Sequence, residues 1–529
     1  MKNNKPNQKE MKELENLFNL NKLDELEKKL INLIGEYPKI SIFYNILGVV
    51  LQKKNNSDDA IKNFNKAINL QPNFDQAHNN LGNALKSINK FEESINSYKQ
   101  AIKINPKYAE AYNNLGNTLA ELGKFEESVE KQREAINLDS TYPDFYMNLG
   151  SSLAELGKFD EAIINYEKAI KINPIYAEAY SNLGNILAEK GKFSEAIYNQ
   201  KKALELNPKF VKAIFCESMI RLSLCEFEIG WKKYEYRPDK PLRYKPDKAW
   251  DGKYVDGTLL VWGEQGIGDQ ILFSSMIFEL KNYAKNIVLE IDSRLEDLFK
   301  RHLEKINCSN IKLINFGKKS PDSFDKHIAL GSLGQFLRNS KKSFSETPKK
   351  FLIASKSKQN KYRKKFLNDK KFKIGISWKT LNKVQPYRNI QLNDMLPILS
   401  TPNCDFINLQ FGEFENDLKN FKSRSGIEVR SIKEIDNYHD IDGLAALISS
   451  LDLVITITNS TAHLAGALGI KTYVMVSKMG TPKWHWIASD KNSLWYPSLH
   501  IFRQKSIGSW NNVIVDIADN LKKLIYNLK

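Results

Sequence analysis

Five glycines, Gly48, Gly82, Gly116, Gly150 and Gly184, stand 34 residues apart, and the surrounding sequence keeps step with them. Leu47, Leu81, Leu115, Leu149 and Leu183 precede them, and Ala67, Ala101, Ala135, Ala169 and Ala203 follow at a constant offset. Pro72, Pro106, Pro174 and Pro208 close four of the five units. A fixed period of this length marks a stack of helix–turn–helix units. The small residues let two helix backbones approach, and proline ends the second helix of each pair. Residues 7–40 read as a worn sixth copy with Pro38 in phase, and 211–235 as a terminal cap. One such unit cannot bury its apolar face alone, so the array forms an extended surface for binding.

The period and its helix-pair content are the signature of tetratricopeptide repeats (TPRs). The expected all-α TPR superhelix covers 1–235, in repeats of about 7–40, 41–74, 75–108, 109–142, 143–176 and 177–210. Two residues before each later glycine stands Asn80, Asn114, Asn148 or Asn182, and three residues on come Asn83, Asn117, Ser151 and Asn185. That i, i+3 spacing puts each pair on one helix face. A polar ladder there would suit a peptide backbone, because Asn donates and accepts together. It reads equally as the solvated face of an asparagine-rich chain, contributing little to the repeat core. The pattern resembles the asparagine ladder of the O-GlcNAc transferase superhelix, which implies a protein or peptide held in the groove.

Charge divides the chain. Residues 1–230 carry 30 Lys and Arg against 31 Asp and Glu, whereas the remainder carries 49 against 31. A basic second half meets an anion, or reflects the lysine-rich composition of the whole chain. No Lys/Arg stripe with interleaved aromatics appears, so no nucleic-acid partner is expected. The four cysteines, Cys216, Cys225, Cys308 and Cys404, make no metal-ligand or redox spacing, as in a reduced cytoplasmic protein. The first residues lack an apolar signal segment and no run of 18 apolar residues occurs, so no integral membrane contact is expected.

After a charged linker (Tyr236 to Asp256) the pattern changes to apolar runs of strand length alternating with helical stretches, the mark of parallel βαβ units. Strands are expected at Gly257–Trp262, Asn286–Ile291 and Asn310–Ile314, with a helix over Gln270–Tyr283. A second set is expected at Ile374–Trp378, Asp405–Leu409, Leu453–Thr458 and Thr472–Ser477. Two Rossmann-like lobes follow, over 236–365 and 366–529.

Gly263, Gly266 and Gly268 form a strand-to-helix loop that lacks the dinucleotide fingerprint, since Ile271 stands where its third glycine belongs. Asp269 beside it is either a favourable helix-start acid or a general base facing a cleft. The segment Ile455 to Gly469 runs a β-branched strand into Asn459, Ser460 and Thr461, then a helix of small residues. Backbone N–H groups and hydroxyls at such a start form an anion site that would hold a pyrophosphate without a metal. His463, one turn in, is a packed structural residue or a ligand contact. Asp440-Ile-Asp442 spells a possible divalent-metal pair, but it precedes a helix over Gly443–Ser450, so Asp442 is read as an N-cap and no metal is expected.

Several stretches together make a resemblance specific: Leu260-Val-Trp-Gly-Glu-Gln-Gly-Ile-Gly-Asp269, Gly375-Ile-Ser-Trp378, Tyr387-Arg388-Asn389, Asn408-Leu-Gln410, Asp442 through Gly469, Trp484-His-Trp486, Trp495-Tyr-Pro497, Phe502-Arg-Gln504 and Trp510. The chain resembles the bacterial TPR-fused glycosyltransferases of the GT-B fold, which are related to ADP-heptose–lipopolysaccharide heptosyltransferases and, more distantly, to O-GlcNAc transferases. The resemblance implies an inverting, metal-independent glycosyltransferase with a nucleotide-sugar as substrate and no cofactor. Asp269 would be the base. Gly268, Asn459, Ser460, Thr461 and His463 would hold the donor diphosphate, and Lys379 and Arg388 would offset its charge. One departure stands out: many relatives carry Asp-Thr where this chain has Thr458-Asn459. That loss leaves room for the other expectation, a TPR interaction scaffold whose transferase half only binds.

Overall fold

The computed structural model describes residues 8–238, 240, 243–264, 266–317, 323–380, 388–478, 484–486, 491–506 and 508–527. Gln265 and Tyr387, both within the motifs quoted above, lie outside that set. The chain divides into two compact units, Met1–Ile186 and Leu187–Lys529.

The first unit is a stack of helix pairs: α1 (Gln8–Asn19) with α2 (Leu23–Glu36), α3 (Ser41–Lys53) with α4 (Ser57–Leu70), α5 (Asp75–Ser87) with α6 (Phe91–Ile104), α7 (Ala109–Glu121) with α8 (Phe125–Leu138), and α9 (Pro143–Glu155) with α10 (Phe159–Ile172). The periodic glycines have a steric cause. A Cβ at Gly48 would lie 2.5 Å from the Phe64 ring, and one at Gly82 2.6 Å from Tyr98. Each glycine thus seats a side chain of the partner helix against bare backbone, and buried Ala60, Ala67, Ala101 and Ala135 complete the fit. The turn inside each pair holds a left-handed residue 34 positions from the next, Asn21, Asn55, Asn89, Gly123 and Gly157 in this unit. Asn and Gly are the residues that adopt this conformation at least cost. Helix α11 (Ala177–Glu189) begins the next pair.

The second unit opens with α12 (Phe193–Leu206), α13 (Val211–Ser223) and α14 (Phe227–Tyr234). The last two are more than an end-piece of the array. Trp231 of α14 is fully buried, donates from Nε1 to the Arg338 carbonyl at 2.8 Å, and packs edge-on to Trp484 at 5.0 Å. Two all-parallel sheets follow. The first contains β1 (Val255–Trp262), β2 (Ala284–Ile291), β3 (Ile311–Asn315) and β4 (Lys326–Ala329), in the order β3-β2-β1-β4. The second contains β5 (Phe372–Ser377), β6 (Cys404–Asn408), β7 (Val429–Arg430), β8 (Leu453–Ile457), β9 (Thr472–Val476) and β10 (Leu499–Arg503), in the order β10-β9-β8-β5-β6-β7. Connecting helices are α15 (Ile267–Ser274), α16 (Glu296–Lys305), α17 (Gly334–Leu337), α18 (Lys356–Phe366), α19 (Leu396–Leu399), α20 (Glu415–Ser425), α21 (Ile441–Ile448) and α22 (Ser460–Ala467), with α23 (Asn511–Tyr526) at the end.

Every expected strand is present within about two residues, as boundary scatter allows; β4, β7 and β10 are additions. The expected long helix after β1 is broken. Ser274 and Ser275 donate back to the carbonyls of Gln270 and Leu272, and α15 gives way to a 3₁₀ segment at Ile277–Asn282.

Candidate functional site

In open parallel sheets, ligands bind beyond the carboxyl ends of the strands, where the strand order reverses. In the first sheet that point lies between β1 and β4. In the second it lies between β5 and β8. The first crevice is filled by the chain itself. Arg237, fully buried, donates to the Glu264 carboxylate at 2.5 and 3.2 Å and to Ser332 at 2.9 Å, while Glu264 also accepts the Gly331 N–H at 3.0 Å. This network joins the loops leaving β1 and β4 and supports the turn that carries Gly266 to Asp269.

The second crevice is bridged by Asn459. Its Nδ2 donates to Ser377 Oγ, at the end of β5, across 2.7 Å. Its Oδ1 accepts from Thr456 Oγ1 and from the N–H groups of Thr461 and Ala462, so Asn459 is the N-cap of α22. The cap satisfies two of the N–H groups that the sequence assigned to a diphosphate. Thr461 Oγ1 is buried with no partner among the described residues, and Ser460 is partly exposed at the same turn. His463 is buried, and its Nδ1 lies 3.0 Å from the Tyr496 hydroxyl. Burial raises the pKa of Tyr496 well above its ordinary value, and the Asp269 carboxylate adds to the rise. Tyr496 therefore stays a neutral hydroxyl and fixes the imidazole plane.

The two switch points face each other. A Cβ at Gly268 would lie 3.3 Å from His463 Cδ2 and 3.7 Å from Ser460 Cα, so the first turns of α15 and α22 are in contact. Asp269, partly exposed in the first turn of α15, sits within electrostatic reach of Tyr496. Two helix N-termini meeting this way make a region that favours negative charge.

The remaining expected residues divide. Lys379 leaves β5 and ion-pairs with Asp417, whose Oδ2 also accepts from Trp378 Nε1 at 3.0 Å. Gln410 holds this turn, its Oε1 accepting from the N–H groups of Trp378 (3.0 Å) and Lys379 (2.8 Å). That gives the Asn408-Leu-Gln410 motif a structural purpose. Arg388 is partly buried. Asp442 is not the cap expected of it. Asp440 caps α21, accepting from Gly443 N–H at 2.8 Å, because the helix starts earlier than the sequence indicated. Asp442 instead pairs with Arg301 of α16 and with Lys358. The roles of Tyr496, Ser377 and Asp417 were not foreseen; the first two lie inside the quoted Trp-Tyr-Pro and Gly-Ile-Ser-Trp motifs, and Asp417 lies in none.

In the first unit the asparagine ladder is bonded to the preceding repeat, to residues one position before its own column. Asn80 donates to Asn45, Asn114 to Asn79 and Asn148 to Asn113, each at 3.0–3.1 Å, and Asn182 reaches Met147 Sδ at 3.6 Å. The expectation that this face adds little to the repeat fold is therefore corrected. Its amides join successive repeats, and their acceptors Asn45, Asn79 and Asn113 are buried.

Comparison with known proteins supports the repeats. A family model described as TPR repeat matches residues 48–88, 82–123, 116–157 and 150–191, and one described as tetratricopeptide repeat matches 177–210. The N-terminal part is thus a TPR array. The chain is similar to Protein FlbA of Caulobacter vibrioides, 28% identical over 329 residues, which is 58% of this chain and 54% of the relative. The chain therefore spans about half the length of that curated relative. Among solved structures, MamA is 31% identical over 31% of this chain and 97% of its own, with a TM-score of 0.29. YrrB, described as a TPR protein with an unusual peptide-binding site, is 22% identical over 35% of this chain and 95% of its own, with a TM-score of 0.30. Among the described residues no helix is long and apolar enough to cross a membrane.

Proposed function

We propose that the α/β unit is a glycosyltransferase of the two-lobed GT-B kind, moving a sugar from a nucleotide-sugar to a protein or glycan acceptor, with the TPR array recruiting the acceptor or a partner. The observation that carries this reading is the contact between the first turns of α15 and α22, which brings Gly268, the neighbour of Asp269, against Ser460 and His463. The donor diphosphate would lie at the start of α22, where the Ser460 and Thr461 hydroxyls and His463 supply polar contacts and Arg388 supplies charge. Lys379, already paired with Asp417, would contribute through its backbone turn or by exchanging partners. Asp269 would take the proton of the acceptor hydroxyl as that oxygen attacks the anomeric carbon and the nucleoside diphosphate leaves.

One observation favours a second reading, a TPR interaction scaffold whose α/β unit binds without turnover. Asn459 caps its own helix and Lys379 has a carboxylate partner, so part of the anion-binding capacity is used internally. The two readings separate in one experiment. The full chain is incubated with a panel of UDP-, GDP- and ADP-sugars, and release of the nucleoside diphosphate is followed with and without candidate acceptor peptides and glycans. Acceptor-dependent release supports the transferase. Binding with no release from any donor supports the scaffold.

A further inference from the structure

The array contains a cavity of about 330 Å³ in its first unit, on the face of the first helices, lined by Asn117, Glu121, Gln132, Asn148, Ser151 and Glu155 among others. Its origin lies in a periodic column. Phe64, Tyr98, Gln132, Tyr166 and Gln200 stand 34 residues apart, the first four each pressed on the glycine of the partner helix, and Gln132 falls between two tyrosines. The two tyrosines extend their hydroxyls to Asn83 (2.7 Å) and Ser151 (3.3 Å). Gln132 reaches Asn117 at 3.0 Å with its amide nitrogen but has no ring, and the volume a ring fills elsewhere is left open.

What lines the opening specifies its occupant. Gln132 is 1% exposed, and its Oε1 has no donor among the described residues. A buried carbonyl oxygen without a donor is costly, which points to a donor brought by a ligand. Around it, Glu121 and Glu155 are the last residues of α7 and α9, and neither helix has a basic residue in its last turn. A carboxylate at that end opposes the helix dipole, so helix stability does not account for the acids. Glu121 is already paired at 2.8 Å with Lys86, which also lines the cavity, while no cation pairs with Glu155 among the described residues. Desolvation by the groove wall raises the pKa of the Glu155 carboxyl above its ordinary value, as for an acid lacking its counter-charge.

We propose that this cavity seats one lysine or arginine side chain of an extended polypeptide lying along the first-helix face. Its cationic head pairs with Glu155 and donates to Gln132 Oε1. The inference rests on the array being a binding surface and stands whether or not the α/β unit transfers a sugar.

The test uses the full chain and fluorescein-labelled peptide pools of random Ser, Gly, Asn and Thr around one fixed position, set to Lys, Arg, norleucine or Glu. Binding is read by anisotropy with no donor present, so a missing transferase activity leaves the result untouched. The Lys and Arg pools should bind about tenfold more tightly than the norleucine and Glu pools. The preference should shrink with added salt. Glu155→Gln should lose most of it. Gln132→Tyr, which restores the ring of the neighbouring repeats, should abolish it while leaving the melting temperature at or above that of the parent. Equal binding of all four pools, a preference that survives Glu155→Gln, or no binding by any pool would overturn the proposal.

Discussion

Asn114 donates its side-chain amide to Asn79 of the preceding repeat across 3.1 Å, one residue out of step with the 34-residue period. Asn79 is buried, so removing that donor leaves its acceptor unpaired at a site largely shielded from water. Asn114→Ala should therefore cost about 1–3 kcal/mol, the range for leaving a buried polar group unpaired. Asn114→Asp, which sets acceptor against acceptor, should cost more. Urea unfolding of the variants checks this, and a parental midpoint for Asn114→Ala would return the ladder to a solvated surface.

Arg237 and Glu264 form the most enclosed ion pair of the α/β unit among the described residues, with side chains 0% and 1% exposed. Removing one member strands the other charge. Arg237→Ala should destabilise the unit by about 3–5 kcal/mol. Glu264→Gln should cost less, because the amide keeps an acceptor for Gly331 and leaves the arginine hydrogen-bonded. If the two variants melt alike and close to the parent, the network does not support the loop carrying Asp269.

His302 gives the α/β unit a defined acid weakness. Its ring lies against Phe278 with centroids 4.4 Å apart, and burial holds its pKa down to about 4, with Lys305 and Lys350 adding to the effect. The unfolded chain takes up a proton near the ordinary histidine value, about 6.5. The stabilising contribution is therefore complete above about pH 6.5 and is lost as the pH falls from there towards 4, worth about 1–3 kcal/mol over that window. His302→Gln should flatten the fall in melting temperature between those values. An identical pH profile for variant and parent would show that the ring does not resist protonation.

These relationships differ in how readable they were. The helix pairs were legible because glycine, alanine and proline recur for a steric reason at each turn of the stack. The β-strands were legible as apolar runs between turn residues, except β4, whose four residues include Lys326 and His327, the two-residue β7, and β10, where polar His500 and Arg503 interrupt the apolar run. The ladder bonds were hidden because each links an asparagine to the residue beside its periodic equivalent, a contact that reading down one column cannot find. The Asn459 cap was foreseen as a type of residue at a helix start. Its second bond to Ser377 depends on β5 and β8 being neighbours, which is a matter of strand order and not of local sequence.

The start of α22 yields a ligand prediction. If Ser460 and Thr461 contact a diphosphate, UDP, GDP or ADP should raise the melting temperature of the full chain in EDTA. Ligand at 100 times its dissociation constant corresponds to roughly 2.7 kcal/mol of stabilisation. Ser460→Asp puts a carboxylate at a favourable helix position, so the fold should persist while the nucleotide shift disappears. A shift of parental size in that variant would move the diphosphate elsewhere.

Asp269 separates a structural role from a chemical one. As a first-turn acid of α15 it contributes about 0.3–1 kcal/mol, much of which Asn retains through its own hydrogen bonding. As the base it should contribute on the order of 10²–10⁴-fold to the rate. Asn has the same shape and cannot accept the acceptor's proton, so Asp269→Asn should melt near the parent, bind nucleoside diphosphate normally and lose transfer. The loss has to appear in acceptor-dependent turnover at saturating donor, because a change confined to donor affinity would assign Asp269 to binding. Turnover at the parental rate would exclude it as the base and leave the contact between α15 and α22 as a structural junction.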